Sequence, residues 1–234
     1  MRLLKIDLRT NQRWIDNIES KNFDNKIIFN EIDEYLMKNN EELEVIDAVK
    51  MMNDNFKQAG DFTVFLSHSH DDIEAVKKLT TLLEKNGQKV FIDSIYWNYF
   101  EKLLKRIDDK YALNQDRNSY SYEKRNITTA VVHNLLSISL QKMIEKCEYF
   151  IFLDSNSIDK VNINTKKSTT SPWIYLELST IALLKQRVEK GIRSRDVFNK
   201  ALWFNYDIKD ILTKFEEINE ENDLLCRFKR SQYE

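Results

Sequence analysis

The sequence predicts an α/β protein with a doubly wound parallel sheet of four to five strands flanked by helices. Three short apolar segments, residues 63–67, 89–92 and 149–153, lack polar alternation, which is typical of strands buried on both faces of a parallel sheet. Segments with helical periodicity separate them, and alternation of strands with helices favours parallel βαβ units. Each strand segment is followed by polar residues, and open parallel sheets bind ligands at that edge.

Composition supports a folded protein. The 234 residues are 42% hydrophobic, which is enough to bury a core. The 36 basic and 38 acidic residues give a net charge of −2, so we expect no nucleic-acid or anionic-membrane partner from global charge. The longest nearly apolar run, residues 173–184, is shorter than the roughly 20 residues of a membrane span.

The N-terminus and the cysteines favour a cytoplasmic location. Charged residues, including Lys5 and Asp7, interrupt the segment that a signal peptide would keep apolar. The only cysteines, Cys147 and Cys226, have no C-x-x-C spacing, which indicates a reducing compartment. We expect both thiols to be buried in the core.

The chain is predicted to begin with a helical extension over residues 1–58, because apolar residues recur there at helical spacing. The first strand of the sheet follows at 63–67 and leads to a helix over 71–86. Gly87 is placed for a left-handed C-terminal cap, and Ser69 with Asp72 fits a capping box at the start of that helix. The second strand, 89–92, ends at Asp93.

A long insertion is predicted at about 94–129, with a helix over 97–111 and a polar loop over 114–126. A strongly periodic helix then runs to Cys147, and the third strand, 149–153, ends in Asp154 and Ser155. Ser171 and Pro172 suit the N-cap and first position of the next helix. The remaining predicted elements are a strand over 201–206, a helix over 208–218 and a further strand over 224–228 in a C-terminal segment, 212–234.

The string VFLSHSHDD after the first strand raises the question of a metal site. His68, His70 and Asp72 are ligand types that Zn²⁺ accepts, as in a metal-dependent hydrolase. The dinuclear pattern H-x-H-x-D-H, however, requires a histidine where Ile73 stands, and the one other histidine, His133, lies in a periodic helix. We therefore predict no metal, and regard the histidines as polar residues of a loop.

Glu177 is the one charge in the twelve residues from Trp173 to Leu184. On a helix, Trp173, Glu177, Ile181 and Leu184 share a face, so the carboxylate is expected within an apolar stripe. A desolvated carboxylate is costly without compensation, which makes it a candidate functional group. The alternative is that Glu177 lies at the edge of the stripe or pairs with a basic residue.

Four blocks together, VFLSHSHDD, KVFID, YFIFLDS and SPWIYLEL, resemble in order a Toll/interleukin-1 receptor (TIR) homology domain of the prokaryotic type. The resemblance covers about Asp61 to Ile211 and implies a flavodoxin-like fold. Two loops depart from the family. The segment after the second strand is long and has no Gly or Pro, and the loop before Ser171 is also long.

The resemblance implies an enzyme that cleaves NAD⁺ between ribose and nicotinamide, with Glu177 of W-x-x-x-E as the catalytic carboxylate and no cofactor beyond the substrate itself. Trp173 would supply an aromatic wall. The expected products are an ADP-ribose-derived signal or NAD⁺ depletion in antiphage defence, with self-association and a downstream effector that reads the product. The other expected substrate contacts lie at the strand ends: Ser67, His68, Ser69, Asp93 and Ser155. A non-catalytic TIR module that binds other proteins is the alternative.

Overall fold

The computed structural model describes residues 1–21, 32–37, 45–47, 49–51, 62–158, 168–186 and 206–229. The chain divides into two compact units. The first unit comprises Met1–Phe23, Phe62–Ile92 and Met143–Glu234, and the second comprises Asp24–Asp61 and Asp93–Lys142. The predicted domain boundaries differ from this division, because they did not place Asp24–Asp61 in one unit with Asp93–Lys142. None of the described helices is long and apolar enough to cross a membrane.

The first unit contains one sheet of five parallel strands, which confirms the predicted α/β class. In spatial order the strands are β5 (Val90–Ile92), β4 (Val64–Ser67), β6 (Tyr149–Asp154), β1 (Arg2–Asp7) and β9 (Glu216–Ile218). Every side chain of β4, β5 and β6 is buried, as their uninterrupted apolar sequences require. Counted from β4, the first three positions follow the 2-1-3 order of a flavodoxin-like sheet.

Strand β1 corrects the prediction of a helical extension. Its six residues pair in parallel with β6 along their whole length, from Arg2 opposite Tyr149 to Asp7 opposite Asp154. Leu3, Leu4 and Ile6 are buried, although Lys5 interrupts the apolar pattern. Lys5 is compatible with the strand because its ammonium lies 2.6 Å from the Glu217 carboxylate of the neighbouring β9. Residues 22–31, 38–44, 48 and 52–58 of the predicted extension lie outside the described residues.

Helices flank the sheet of the first unit. They are α1 (Leu8–Asp16), α2 (Ile73–Lys85), α5 (Pro172–Gln186), α6 (Lys209–Leu212) and α7 (Glu221–Lys229). The predicted cap of α2 is confirmed: Gly87 has φ 78°, its N–H donates to Glu84 O, and the N–H of Gln88 donates to Leu83 O. Outside the main sheet, β7 (Ser168–Thr169) pairs antiparallel with β8 (Tyr206–Asp207).

The C-terminal predictions require two corrections. The segment 224–228 is not a strand but part of α7, whose Leu224 and Phe228 are buried one turn apart. The predicted helix over 208–218 divides into α6 and strand β9. A short segment with few apolar residues can form a helix or a strand. Residues Glu216–Ile218 form a strand because they pair with the edge of β1 that β6 leaves open. Of the predicted strand 201–206, residues 201–205 lie outside the described part of the chain.

The second unit contains α3 (Asp93–Tyr111), most of α4 (Tyr122–Lys146), the turn Ile32–Tyr35 and the short antiparallel pair β2 (Leu36–Met37) and β3 (Val45–Ile46). The predicted insertion is thus largely helical, and α4 begins inside the segment that was predicted to be a loop. Asp108 of α3 is buried, accepts a hydrogen bond from Arg125 Nε at 3.0 Å and accepts another from the Thr128 hydroxyl, which ties α3 to α4.

We predict that Leu4→Ala lowers the free energy of unfolding by about 2–5 kcal/mol, because it removes a fully buried side chain from a strand paired on both sides. Urea denaturation followed by circular dichroism measures the change. The control is Leu183→Ala on an exposed position of α5, which should change stability by no more than about 0.5 kcal/mol. Equal small effects of both variants would contradict the placement of β1 inside the sheet.

The two cysteines should react differently with thiol reagents. Cys147 is buried, and burial raises its pKa to about 12, whereas Cys226 is exposed, contrary to the expectation that both lie in the core. The thiolate is the species that reacts. At pH 8 the thiol of Cys226 should therefore react quickly in the native protein, and the thiol of Cys147 should react only on unfolding. Cys226→Ser should abolish the fast phase. Two fast thiols in the native wild type would show that Cys147 is accessible.

Candidate functional site

The carboxyl ends of three adjacent strands bring the candidate residues of the first unit together. Ser67 ends β4, Asp154 ends β6 and Asp7 ends β1. The chain moves from β4 to β5 on one side and later to β6 on the other, so the order reverses between β4 and β6. Ligands of open α/β sheets bind outside the strand ends at such a reversal. The loops after β4 and β6 therefore border the expected crevice.

Glu177 reaches this edge from helix α5. The helix starts as predicted: Pro172 is its first residue, and the Ser171 hydroxyl accepts a hydrogen bond from the N–H of Ile174 at 3.3 Å. Glu177 is 0% exposed. Burial of a whole glutamate among apolar residues makes this carboxylate the most unusual polar group of the described helix.

The buried face of α5 differs slightly from the predicted stripe. Its buried members are Ile174, Glu177, Leu178, Thr180 and Ile181, whereas Trp173 and Leu184 are half-buried on its flanks. The predicted face was displaced by about one residue, because a strict i, i+4, i+8 series drifts around a helix with 3.6 residues per turn. Trp173 therefore lies beside the buried face, one turn before Glu177.

Ser67 and Glu177 are joined directly. The Ser67 hydroxyl donates a hydrogen bond to Glu177 Oε2 at 2.6 Å, and both side chains are fully buried. This length is typical of a hydroxyl bound to an ionised carboxylate, which is stronger than a neutral hydrogen bond. The bond compensates part of the cost of taking the carboxylate out of water. Two residues predicted independently from the sequence are thus in contact.

A second hydroxyl–carboxylate pair links the loops after β4 and β6. The Ser155 hydroxyl donates to Asp72 Oδ2 at 2.6 Å and accepts from the N–H of Ser157 at 3.1 Å. The Ser69 hydroxyl reaches the carbonyl oxygen of Ser157 at 3.5 Å. The predicted capping box of Ser69 and Asp72 is therefore wrong, because both side chains turn toward the loop after β6 and neither caps the helix.

The histidines differ in environment. His68 is buried, and its Nδ1 lies 3.2 Å from the carbonyl oxygen of Leu66. A carbonyl only accepts, so Nδ1 carries a hydrogen in this contact. His70 is exposed. Within the part of the chain that the structure describes, no group of three His, Cys, Asp or Glu side chains is placed to hold a metal ion.

An arginine at the same edge was missed from the sequence. Arg9 donates from Nε and Nη2 to the two carboxylate oxygens of Asp7, at 2.7 and 2.6 Å, and its Nη2 lies 3.2 Å from Asp154 Oδ2. The bond with Asp7 raises the pKa of Arg9 above its ordinary value. The signal was present in the sequence as a polar cluster after an apolar run, but the segment was interpreted as helical.

Asp93 is the one candidate that falls in the second unit. It is the first residue of α3, directly after β5, and it is buried. It belongs to the second unit, whereas Ser67, His68, Ser69, Ser155, Trp173 and Glu177 belong to the first. Comparisons with protein-family models, with curated proteins and with solved structures gave no match for this chain.

We predict that Ser155→Ala lowers the free energy of unfolding by about 1–3 kcal/mol, since the carboxylate of Asp72 loses a charge-assisted donor. Urea denaturation measures this loss. Asn156→Ala changes the next, exposed residue of the same loop and should stay within about 0.5 kcal/mol of wild type. A Ser155→Ala protein as stable as the Asn156→Ala control would show that the pair does not hold the two loops together.

Proposed function

We propose that this protein is a TIR-like enzyme that cleaves the bond between nicotinamide and ribose in NAD⁺, with Glu177 as the catalytic carboxylate. The observation that carries the proposal is the complete burial of Glu177 and its hydrogen bond with Ser67 beside the strand-order reversal. The four sequence blocks that resemble the TIR family support it, since Glu177 occupies the glutamate position of W-x-x-x-E.

The chemistry of this bond suits a single carboxylate. Nicotinamide leaves from NAD⁺ as a neutral molecule because its ring nitrogen is already cationic, so the leaving group needs no general acid. The ribosyl carbon gains positive charge as the bond breaks. A carboxylate held close to that carbon stabilises the charge electrostatically, as the second carboxylate of glycosidases does. Its effect is largest where water is excluded, and Glu177 is inaccessible to solvent.

The other polar groups of the edge would contact the rest of the substrate. Ser69, His68 and Ser155 lie in the two loops that border the reversal, and in this proposal they contact ribose or phosphate oxygens. Trp173, one turn before Glu177, would contribute an aromatic wall for a planar ring. Asp93 belongs to this proposal only through its position after β5.

The proposed biological role is production of an ADP-ribose-derived signal, or depletion of NAD⁺, in bacterial antiphage defence. A signal requires an effector that binds the product. Self-association and a cytoplasmic location are part of the same proposal, and both rest on the family resemblance and on the composition.

The test incubates the protein with NAD⁺ at high protein concentration and with a crowding agent. Chromatography then measures the nicotinamide that is released. Wild type should release nicotinamide, and Glu177→Gln should lower kcat by about 100-fold or more, because the amide is uncharged. Glu84→Gln makes the same substitution at an exposed residue of α2 and should retain activity. The mass and retention time of the product distinguish linear from cyclic ADP-ribose.

Two outcomes would favour the other functions. If wild type and Glu177→Gln are equally inactive under every activating condition, this result would favour a TIR-like module that only binds proteins. Activity that a chelator abolishes while Glu177→Gln retains it would favour a metal-dependent hydrolase that uses His68, His70 and Asp72.

A further inference from the structure

Ser67 combines complete burial with a committed donor. It is the last residue of β4, and its side chain is as inaccessible as that of Glu177. A serine hydroxyl carries one hydrogen. That hydrogen is donated to Glu177 Oε2 across 2.6 Å, between residues 110 positions apart in the chain. While this bond is made, Ser67 has no hydrogen to donate to a substrate, so its geometry suits a role other than the substrate contact predicted from the sequence.

We infer that Ser67 is a positioning residue that holds the carboxylate of Glu177 in one orientation for bond cleavage. This inference rests on the function proposed above. It assigns Ser67 an action through Glu177, without direct contact between Ser67 and the reacting atoms.

Both ends of the bond are fixed by regular structure. The backbone of Ser67 is held in the parallel ladder opposite Phe152 of β6. Glu177 lies in the interior of α5, where Ile174, Leu178 and Ile181 anchor the same face of the helix. A site supported by a strand and a helix keeps its geometry better than one built on loops alone.

The bond matters because a glutamate side chain has three rotatable torsions, and burial alone does not select one orientation of its carboxylate. A fixed donor at Oε2 selects it. An ionised carboxylate offers about four lone-pair directions, of which the Ser67 hydroxyl uses one. The Ser67 hydroxyl is neutral, so this bond defines the orientation of the carboxylate without bringing another charge to it. Displacement of a catalytic group by about 1 Å can lower a rate by about 100-fold.

The kinetic test compares Ser67→Ala and Ser67→Thr with wild type. Ser67→Ala should lower kcat for NAD⁺ cleavage by about 10- to 100-fold, because the carboxylate loses its fixed donor. The KM for NAD⁺ should change by less than about twofold, because no substrate contact is removed. Ser67→Thr keeps the hydroxyl and should restore most of the turnover.

The matched control is Ser139→Ala. Ser139 is also a buried serine, but its hydroxyl donates to the carbonyl oxygen of Leu135 within α4, so kcat should stay at the wild-type value. A raised KM with unchanged kcat in Ser67→Ala would overturn the inference in favour of a direct substrate contact.

A measurement without substrate separates this inference from the proposed function. Glu177→Met replaces the acceptor by a side chain of similar volume. The effect of Ser67→Ala on urea unfolding is then measured twice, once with Glu177 present and once in the Glu177→Met protein. Ser67→Ala should raise the unfolding equilibrium constant by about tenfold in the Glu177 background and have almost no effect beside Met. Equal effects of Ser67→Ala in both backgrounds would overturn the inference. This comparison does not use Ser67→Thr, so it still decides the question if the methyl group of threonine does not fit. Absence of NAD⁺ cleavage by wild type would instead overturn the proposed function, and the unfolding data would still decide whether Ser67 holds Glu177.

Discussion

Strand β6 forms parallel backbone hydrogen bonds with β4 on one side and with β1 on the other, and the positions of the candidate residues follow from this pairing. All six of its side chains are buried, so a shift of register would disrupt the packing on both faces of the strand. With the register held, Ser67 lies opposite Phe152, two residues before the end of β6, and Asp7 lies beside Asp154. Two contacts follow from these strand pairings. One is the hydrogen bond between Ser67 and Glu177, and the other is the contact of Arg9 with Asp7 and Asp154.

The same edge collects several carboxylates, and their compensating partners are of two kinds, an arginine and serine hydroxyls. Arg9 lies between Asp7 and Asp154, Ser155 donates to Asp72, and Ser67 donates to Glu177. An arginine offsets charge directly, whereas a hydroxyl leaves the full negative charge in place and satisfies only part of its hydrogen bonding. The Ser67 hydroxyl thus orients Glu177 Oε2, whereas Arg9 brings a positive charge to Asp7 and Asp154.

The sheet also departs from the order that the sequence suggests. In a flavodoxin-like sheet the fourth position is taken by a strand that follows the third along the chain. Here β1, from the N-terminus, occupies that position, and β9 pairs with its outer side. The N-terminal residues are thus an integral part of the sheet. The second unit, in contrast, takes its helices from the long segment after β5.

Local sequence was sufficient for elements whose signals are dense. Apolar runs identified β4, β5 and β6, Gly87 identified the end of α2, and Ser171 with Pro172 identified the start of α5. The isolated charge of Glu177 also marked the candidate carboxylate before its surroundings were known. These signals act within a few residues, so they survive without tertiary context.

Tertiary structure decided the rest, because the deciding partners are distant in sequence. Residues 2–7 contain three charges and become a strand only because β6 and β9 offer backbone partners on both sides. Leu224 and Phe228 carry an apolar pattern that suits either a strand or a helix until packing selects one. Ser67 and Glu177, 110 residues apart, meet only after the sheet and α5 have formed. The sequence by itself determined the ends of β4, β5 and β6 and the lone carboxylate, and the folded chain determined which hydroxyl holds it.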